Sequence, residues 1–144
     1  MKIYVASSWR NMMQSAVVAT LRCAKFEVYD FKNPAPGNEG FAWKEVDPNW
    51  MDWAPEKFVE CLQAPVAQAG FNSDFDAMKW ADCGVLVLPC GRSAHLEAGY
   101  FVGAGKPLHI LLHPEKFEPE LMYLMATTIS CSMFELLGKL GVKD

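Results

Sequence analysis

Residues Cys83–Pro107, CGVLVLPCGRSAHLEAGYFVGAGKP, decide the fold. Gly84-Val85-Leu86-Val87-Leu88 is apolar without alternation, the pattern of a central strand in a parallel sheet covered on both faces. Pro89 has no N–H for a sheet ladder and ends the strand. Gly91-Arg92 makes the turn, and Ser93 is placed to cap the helix that follows, which runs to about Ala104. Gly105 falls where a helix end takes a left-handed residue, and Pro107 blocks continuation. Leu108–Leu112 is then the next strand. Glu97 lies in the first or second turn of the helix, near the carboxyl edge of the sheet, where open α/β sheets bind their ligands.

The same alternation extends in both directions. Lys2–Ser7 reads as a strand, Asn11–Lys25 as a helix and Phe26–Phe31 as a second strand, a parallel crossover. Residues 32–50, KNPAPGNEGFAWKEVDPNW, have no apolar period and read as a long loop, a lid or pocket wall, with its two Trp arguing against disorder. A helix is expected from Trp53 to about Gln68, with Asp52 as its cap, a break or kink at Pro65 and an end at Gly70. A further helix over 74–81 is expected, capped by Asn72 or Ser73, with Asp74 and Asp76 in a first turn where the helix dipole favours acids. Beyond Leu112, Pro119–Met125 gives a short helix and Thr127–Cys131 a last strand. Ser132 and Glu135 fit a capping box opening a final helix to about Leu140. Five short strands alternating with helices assemble as an α/β three-layer sandwich with a mostly parallel sheet, Rossmann- or flavodoxin-like.

Composition narrows the function. A chain of 144 residues without repeats or an internal boundary reads as one domain over 1–144. The net charge of −4 gives no basic footprint for a nucleic-acid polymer. No apolar stretch approaches the ~18 residues of a membrane helix, and the first residues do not form a signal peptide. Five cysteines without a C-x-x-C read as free thiols in a reducing compartment, hence a cytoplasmic protein. His95, His109 and His113 lack the spacing of a metal site, so neither metal nor other cofactor is expected.

Several side chains have the chemistry of a site. Read alone, Glu97 fits a solvated helix acid as well as a functional one. Ala94, Ala98, Gly99 and Gly103 let its helix sit low on the sheet, and Arg92 and Ser93 add donors at the same edge, where a carboxylate suits a nucleophile. Asp74 alone reads best as a helix acid. Tyr4 fits a core aromatic as readily as a site residue. Ser7, Ser8, Arg10 and Asn11 form a polar loop after the first strand, able to hold a phosphate or sugar hydroxyls or merely to cap the next helix.

The stretch Glu97-Ala98-Gly99 followed by Gly105-Lys106-Pro107 resembles the signature of the nucleoside 2-deoxyribosyltransferase family and the related nucleotide N-glycoside hydrolases. Ile3-Tyr4-Val5-Ala6-Ser7 is similar to the family's first strand. An Asp about eight residues before an Ala-Asp pair matches Asp74 before Ala81-Asp82, with Asp76 competing at a register two residues later. The resemblance implies sheet order 2-1-3-4-5 and cleavage of the N-glycosidic bond of a nucleoside or nucleotide, by transfer to another base or to water. It assigns the nucleophile to Glu97, the sugar or the proton on the base to Asp74, and orientation of Glu97 to Tyr4. Ser7, Ser8, Arg10, Arg92 and Ser93 become substrate-binding candidates. Arg92-Ser93-Ala94-His95 departs from the Ser- and Gly-rich run that cradles phosphate in the family's monophosphate hydrolases. Similar enzymes shield their sites with a neighbouring subunit, so a homodimer or larger assembly is expected, with Met122-Tyr123-Leu124-Met125 as surface to bury. The competing reading is a nucleotide-binding or sensor module without catalysis on the same fold, which has no use for a carboxylate beside C1′.

Overall fold

A computed structural model describes residues 1–143. In chain order the elements are β1 (Lys2–Ala6), α1 (Gln14–Cys23), β2 (Glu27–Asp30), α2 (Pro55–Cys61), α3 (Pro65–Trp80), β3 (Cys83–Val87), α4 (Arg92–Gly103), β4 (Leu108–Leu111), β5 (Thr128–Ser130) and α5 (Met133–Lys139), with 3₁₀ turns at Trp43–Glu45, Trp50–Asp52 and Leu121–Met125. They group into two compact units, one formed by Met1–Asp30 with the chain from Trp80 onward, the other by Phe31–Lys79.

The first unit holds a five-stranded sheet, parallel throughout, in the order β2-β1-β3-β4-β5. All five residues of β3 are buried, as its unbroken apolar run requires. Side chains alternate between the two faces of a strand. Ile3, Val5, Val85, Val87 and Leu111 point to one face, where Val17 and Leu21 of α1 and Leu136 of α5 complete a single apolar cluster. Tyr4, Gly84 and Leu108 share a register row on the other face. There α4 crosses the sheet with Ala94, Ala98 and Phe101 buried. A Cβ at Gly84 would stand 2.7 Å from the Phe101 ring, so the missing side chain is what lets α4 lie this close to β3.

The local signals at the end of α4 act as expected. Gly105 adopts φ 70°, its N–H donates to Val102 O and the Lys106 N–H to Phe101 O, the paired closure of a left-handed helix end. Lys106 Nζ then donates to Ala81 O at 2.6 Å. The Gly-Lys-Pro part of the signature therefore fastens the amino edge of the sheet, at the opposite end of α4 from Glu97. Ser132 caps α5 through Glu135 N at 3.2 Å, and Glu135 Oε2 accepts from Cys131 N at 2.8 Å.

Other local expectations give way to packing. Ser93 is not the cap of α4: the N-cap is Gly91, without a side-chain cap bond, and Ser93 is the second helical residue. Asp52 does not cap α2, whose N-cap is Ala54 with Pro55 in the first position that proline favours. Pro65 separates two helices by opening the second. Gly70 does not end that helix. A Cβ there would stand 2.9 Å from Phe41 Cβ, so the glycine makes room for an aromatic from the 31–54 segment and α3 runs on. Asn72 and Ser73 are thus interior residues, and Asp74 lies in the third turn of α3, beyond the reach of the dipole argument.

The second unit explains how residues 32–50 hold a shape without regular structure. Trp43 is the hub of an aromatic cluster, edge-on to Phe41, Trp53 and Phe58 at ring-centroid separations of 4.8, 5.6 and 5.9 Å. Asp47 accepts from Trp53 Nε1 at 2.7 Å and from Asn49 N at 2.9 Å, and these bonds hold its carboxyl below the usual range.

Candidate active site

Tyr4 is fully buried in the middle of β1. Its ring stacks on Tyr29 of β2 at 5.4 Å and 14°, and meets Phe101 of α4 at 5.8 Å and 42°. Glu97 is four residues before Phe101, one helical turn nearer the carboxyl edge of the sheet. It is half-buried, three residues past Ala94 and beside Ala98, so it stands on the flank of α4 that turns toward the sheet. Tyr4, Phe101 and Glu97 thus belong to one face of the unit. The half-buried Cys90, in the loop from β3 to α4, reports on the same carboxylate. Burial, and then the Glu97 charge, push its thiol up to about 12, which keeps the sulfur protonated and excludes it as a nucleophile at neutral pH.

Polar residues gather where β1 and β3 end. The Ser7 hydroxyl donates to Val87 O at 2.8 Å and accepts from Asn11 Nδ2 at 3.1 Å. Ser8 Oγ accepts from Arg10 N at 3.1 Å. Arg10, Arg92 and Ser93 are exposed, the latter two in the first turn of α4. Ser7 is therefore largely spent on tying two strand ends together, while Arg10 and Arg92 keep their guanidinium groups at the surface. Asp74 belongs to the second unit. It is half-buried and lines a cavity of about 150 Å³ with Ser73, Glu45, Asn38 and Phe41.

A larger cavity, about 900 Å³, went unread in the sequence. It opens between the other flank of α4 (His95, Ala98, Val102), the sheet residues Leu86 and Ile110, and the 115–125 segment. His95 Nδ1 lies 2.8 Å from Gly91 O and must carry the proton, because a carbonyl only accepts. Its Nε2 is then free to accept from the Tyr123 hydroxyl at 2.9 Å. The two rings stack at 5.9 Å and 14°. Nothing local announces a bond across 28 residues. Among the described residues no group of three His, Cys, Asp or Glu side chains is arranged to hold a metal ion.

No protein-family model and no curated protein matches the sequence. Solved structures do match the fold. A 2-deoxyribosyltransferase from Bacillus psychrosaccharolyticus is 19% identical over 99% of this chain and 98% of its own, at a TM-score of 0.59. A CMP N-glycosidase from Clostridium botulinum is 16% identical over 99% of this chain and all of its own, at 0.50. A conserved protein from Enterococcus faecalis V583 is 16% identical over 97% and 96%, at 0.60. From end to end, then, the chain has the fold of a 2-deoxyribosyltransferase and of a CMP N-glycosidase, which is the fold that the Glu97 signature implied.

Proposed function

We propose that this protein cleaves the N-glycosidic bond of a nucleoside or nucleotide and passes the sugar to a second base or to water. Glu97 attacks C1′ and forms a glycosyl ester as the base leaves with the bonding electron pair. The acceptor then displaces Glu97 from the same carbon, giving net retention through an oxocarbenium-like transition state. Tyr4 orients the carboxylate. Asp74 takes the role that the family resemblance gives it, positioning the sugar or supplying the proton to the departing base. Arg10, Arg92, Ser7, Ser8 and Ser93 are assigned to the sugar or a phosphate.

One observation carries the reading: a half-buried glutamate one turn from a Tyr4–Phe101 contact, on a fold shared over nearly its whole length with two enzymes of N-glycosidic chemistry. The test is incubation with a panel of nucleosides and nucleotides, with released base followed by chromatography. Release from at least one substrate is expected. Binding without release from any of them turns the reading to a nucleotide-binding module.

The protein is further assigned to a homodimer or larger assembly in a reducing, cytoplasmic compartment. Met122, Leu124 and Met125 are 56%, 80% and 51% exposed, which favours a covering subunit. All five cysteines are free thiols, and among the described residues no helix is long and apolar enough to cross a membrane. Light scattering that finds a monomer at working concentration overturns the assembly.

A further inference from the structure

We infer that Asn11 is a positioning residue for the proposed reaction, fixing the loop from which α4 carries Glu97. In the sheet order 2-1-3-4-5 the chain reverses direction of assembly between β1 and β3, and ligand crevices of doubly wound sheets open at that point. Asn11 sits there. Its side chain is buried, with only 4% of the residue exposed, in the polar loop after β1.

The Asn11 amide bridges the two strand ends. Nδ2 lies 3.1 Å from Ser7 Oγ, 3.3 Å from Val87 O and 3.2 Å from Pro89 O. Oδ1 accepts from Met13 N at 2.9 Å, and the Asn11 N–H donates to Ser8 O at 3.0 Å. One side chain thus grips the end of β1, the residue before α1 and two carbonyls of the chain leading from β3 into α4. Ser7 reinforces the grip, since its hydroxyl donates to the same Val87 carbonyl.

The chemistry requires asparagine. The three Nδ2 partners are oxygens facing a donor, while Met13 N faces an acceptor, and an amide supplies both. Aspartate keeps the shape but sets a carboxylate against carbonyl oxygens. Alanine removes the amide altogether, leaving Val87 O to the Ser7 hydroxyl alone and freeing Pro89 O and Met13 N from their tie. From Pro89 to the start of α4 at Arg92 the chain spans only three residues, so a shift of the 87–89 carbonyls is passed to the helix start and to Glu97.

This inference rests on the proposed N-glycosidic chemistry, and its test has one arm that does not. Amide hydrogen exchange is compared between wild type, Asn11→Asp, Asn11→Ala and Ser7→Ala, with kcat and KM measured on whichever substrate the panel identifies. Exchange at residues 95–98, the first hydrogen-bonded amides of α4, is expected to quicken by about tenfold for each hydrogen bond removed, with β3 still protected. The kcat of both Asn11 variants should fall by about 100-fold, as for a reacting group misplaced by about 1 Å, while KM changes little. Ser7→Ala, which keeps Asn11 but removes the bonds through the Ser7 hydroxyl, should show an intermediate rise in exchange and serves on that arm where an Asn11 variant does not fold. Unchanged exchange at 95–98 overturns the clamp. Faster exchange with unaltered kcat shows a fold-holding residue only and overturns the positioning role. A wild type that releases no base removes the proposed chemistry, and the exchange arm alone then upholds or overturns the clamp.

Discussion

The ring of Tyr4 meets that of Phe101 at 5.8 Å, directly above the missing side chain of Gly84. Tyr4 and Gly84 are register partners on β1 and β3, so strand and helix meet through an aromatic on one strand and a gap on the next. The depth at which α4 carries Glu97 is set by that gap.

Gly84→Ala should therefore act at a distance. The added methyl would stand 2.7 Å from the Phe101 ring, with Tyr4 behind it. Overpacking of this kind costs about 1–3 kcal/mol. A fall in Tm of several degrees is expected, with base release reduced beyond the loss of folded protein. Calorimetry and turnover per folded molecule check both parts, and an unaltered Tm would mean that α4 can lift without penalty.

Cys90 offers a probe of Glu97 that needs no substrate. Its thiol is pushed up to about 12 by burial and by the glutamate charge. At pH 8 an alkylating reagent should label the exposed Cys23 and Cys131 and leave Cys90 almost untouched, as read by peptide mass spectrometry. In Glu97→Gln one of the two causes is gone, so the Cys90 thiol titrates lower and labels faster at any pH below that range. Equal labelling in the two proteins would place the carboxylate too far from Cys90 to matter.

What local signals governed was legible in the sequence. The β3–α4–β4 unit was readable because its strand is uniformly apolar and its helix is closed by Gly105 and Pro107, all within 25 residues. The misreadings share one cause. Gly70 passed for a helix end because its reason is Phe41, 29 residues earlier. Ser93 passed for a cap because the backbone of Gly91 already has the extended geometry. For the candidate site, the signature singled out Glu97 and Tyr4 but gave no sign of Phe101, the aromatic contact between their elements. Asn11 was noticed only as a polar loop residue, since its partners Val87 and Pro89 lie more than 70 residues away.

His109 should give the fold an acid sensitivity of its own. It is buried in β4 with Nδ1 2.8 Å from Thr128 Oγ1, and burial, followed by the Lys139 charge, lowers its pKa from 6.5. The folded state thus releases this proton at a lower pH than the unfolded chain does. Its stability contribution is complete above about pH 6.5 and is lost as pH falls from there through the lowered folded value. Tm measured from pH 8 to pH 5 should decline below about 6.5, and His109→Gln should flatten that part of the curve. A decline of the same slope in the variant would assign the effect to other groups.

The proposed mechanism stands or falls on Glu97. Glu97→Gln keeps the size and the position on α4 but has no anionic oxygen to attack C1′, so no glycosyl ester forms. Base release should drop by about three orders of magnitude or more, the scale of losing a covalent nucleophile whose task nothing else in the site performs. Stability should change by no more than about 1 kcal/mol, because a half-buried helix acid contributes little packing. Asp74→Ala should slow release less severely, since positioning or proton delivery is partly replaced by water. Mass spectrometry of the wild type quenched during turnover should show Glu97 carrying the sugar, a species absent from Glu97→Gln. A Glu97→Gln protein with wild-type turnover would remove the covalent route and leave the nucleophile to be sought elsewhere on the carboxyl edge.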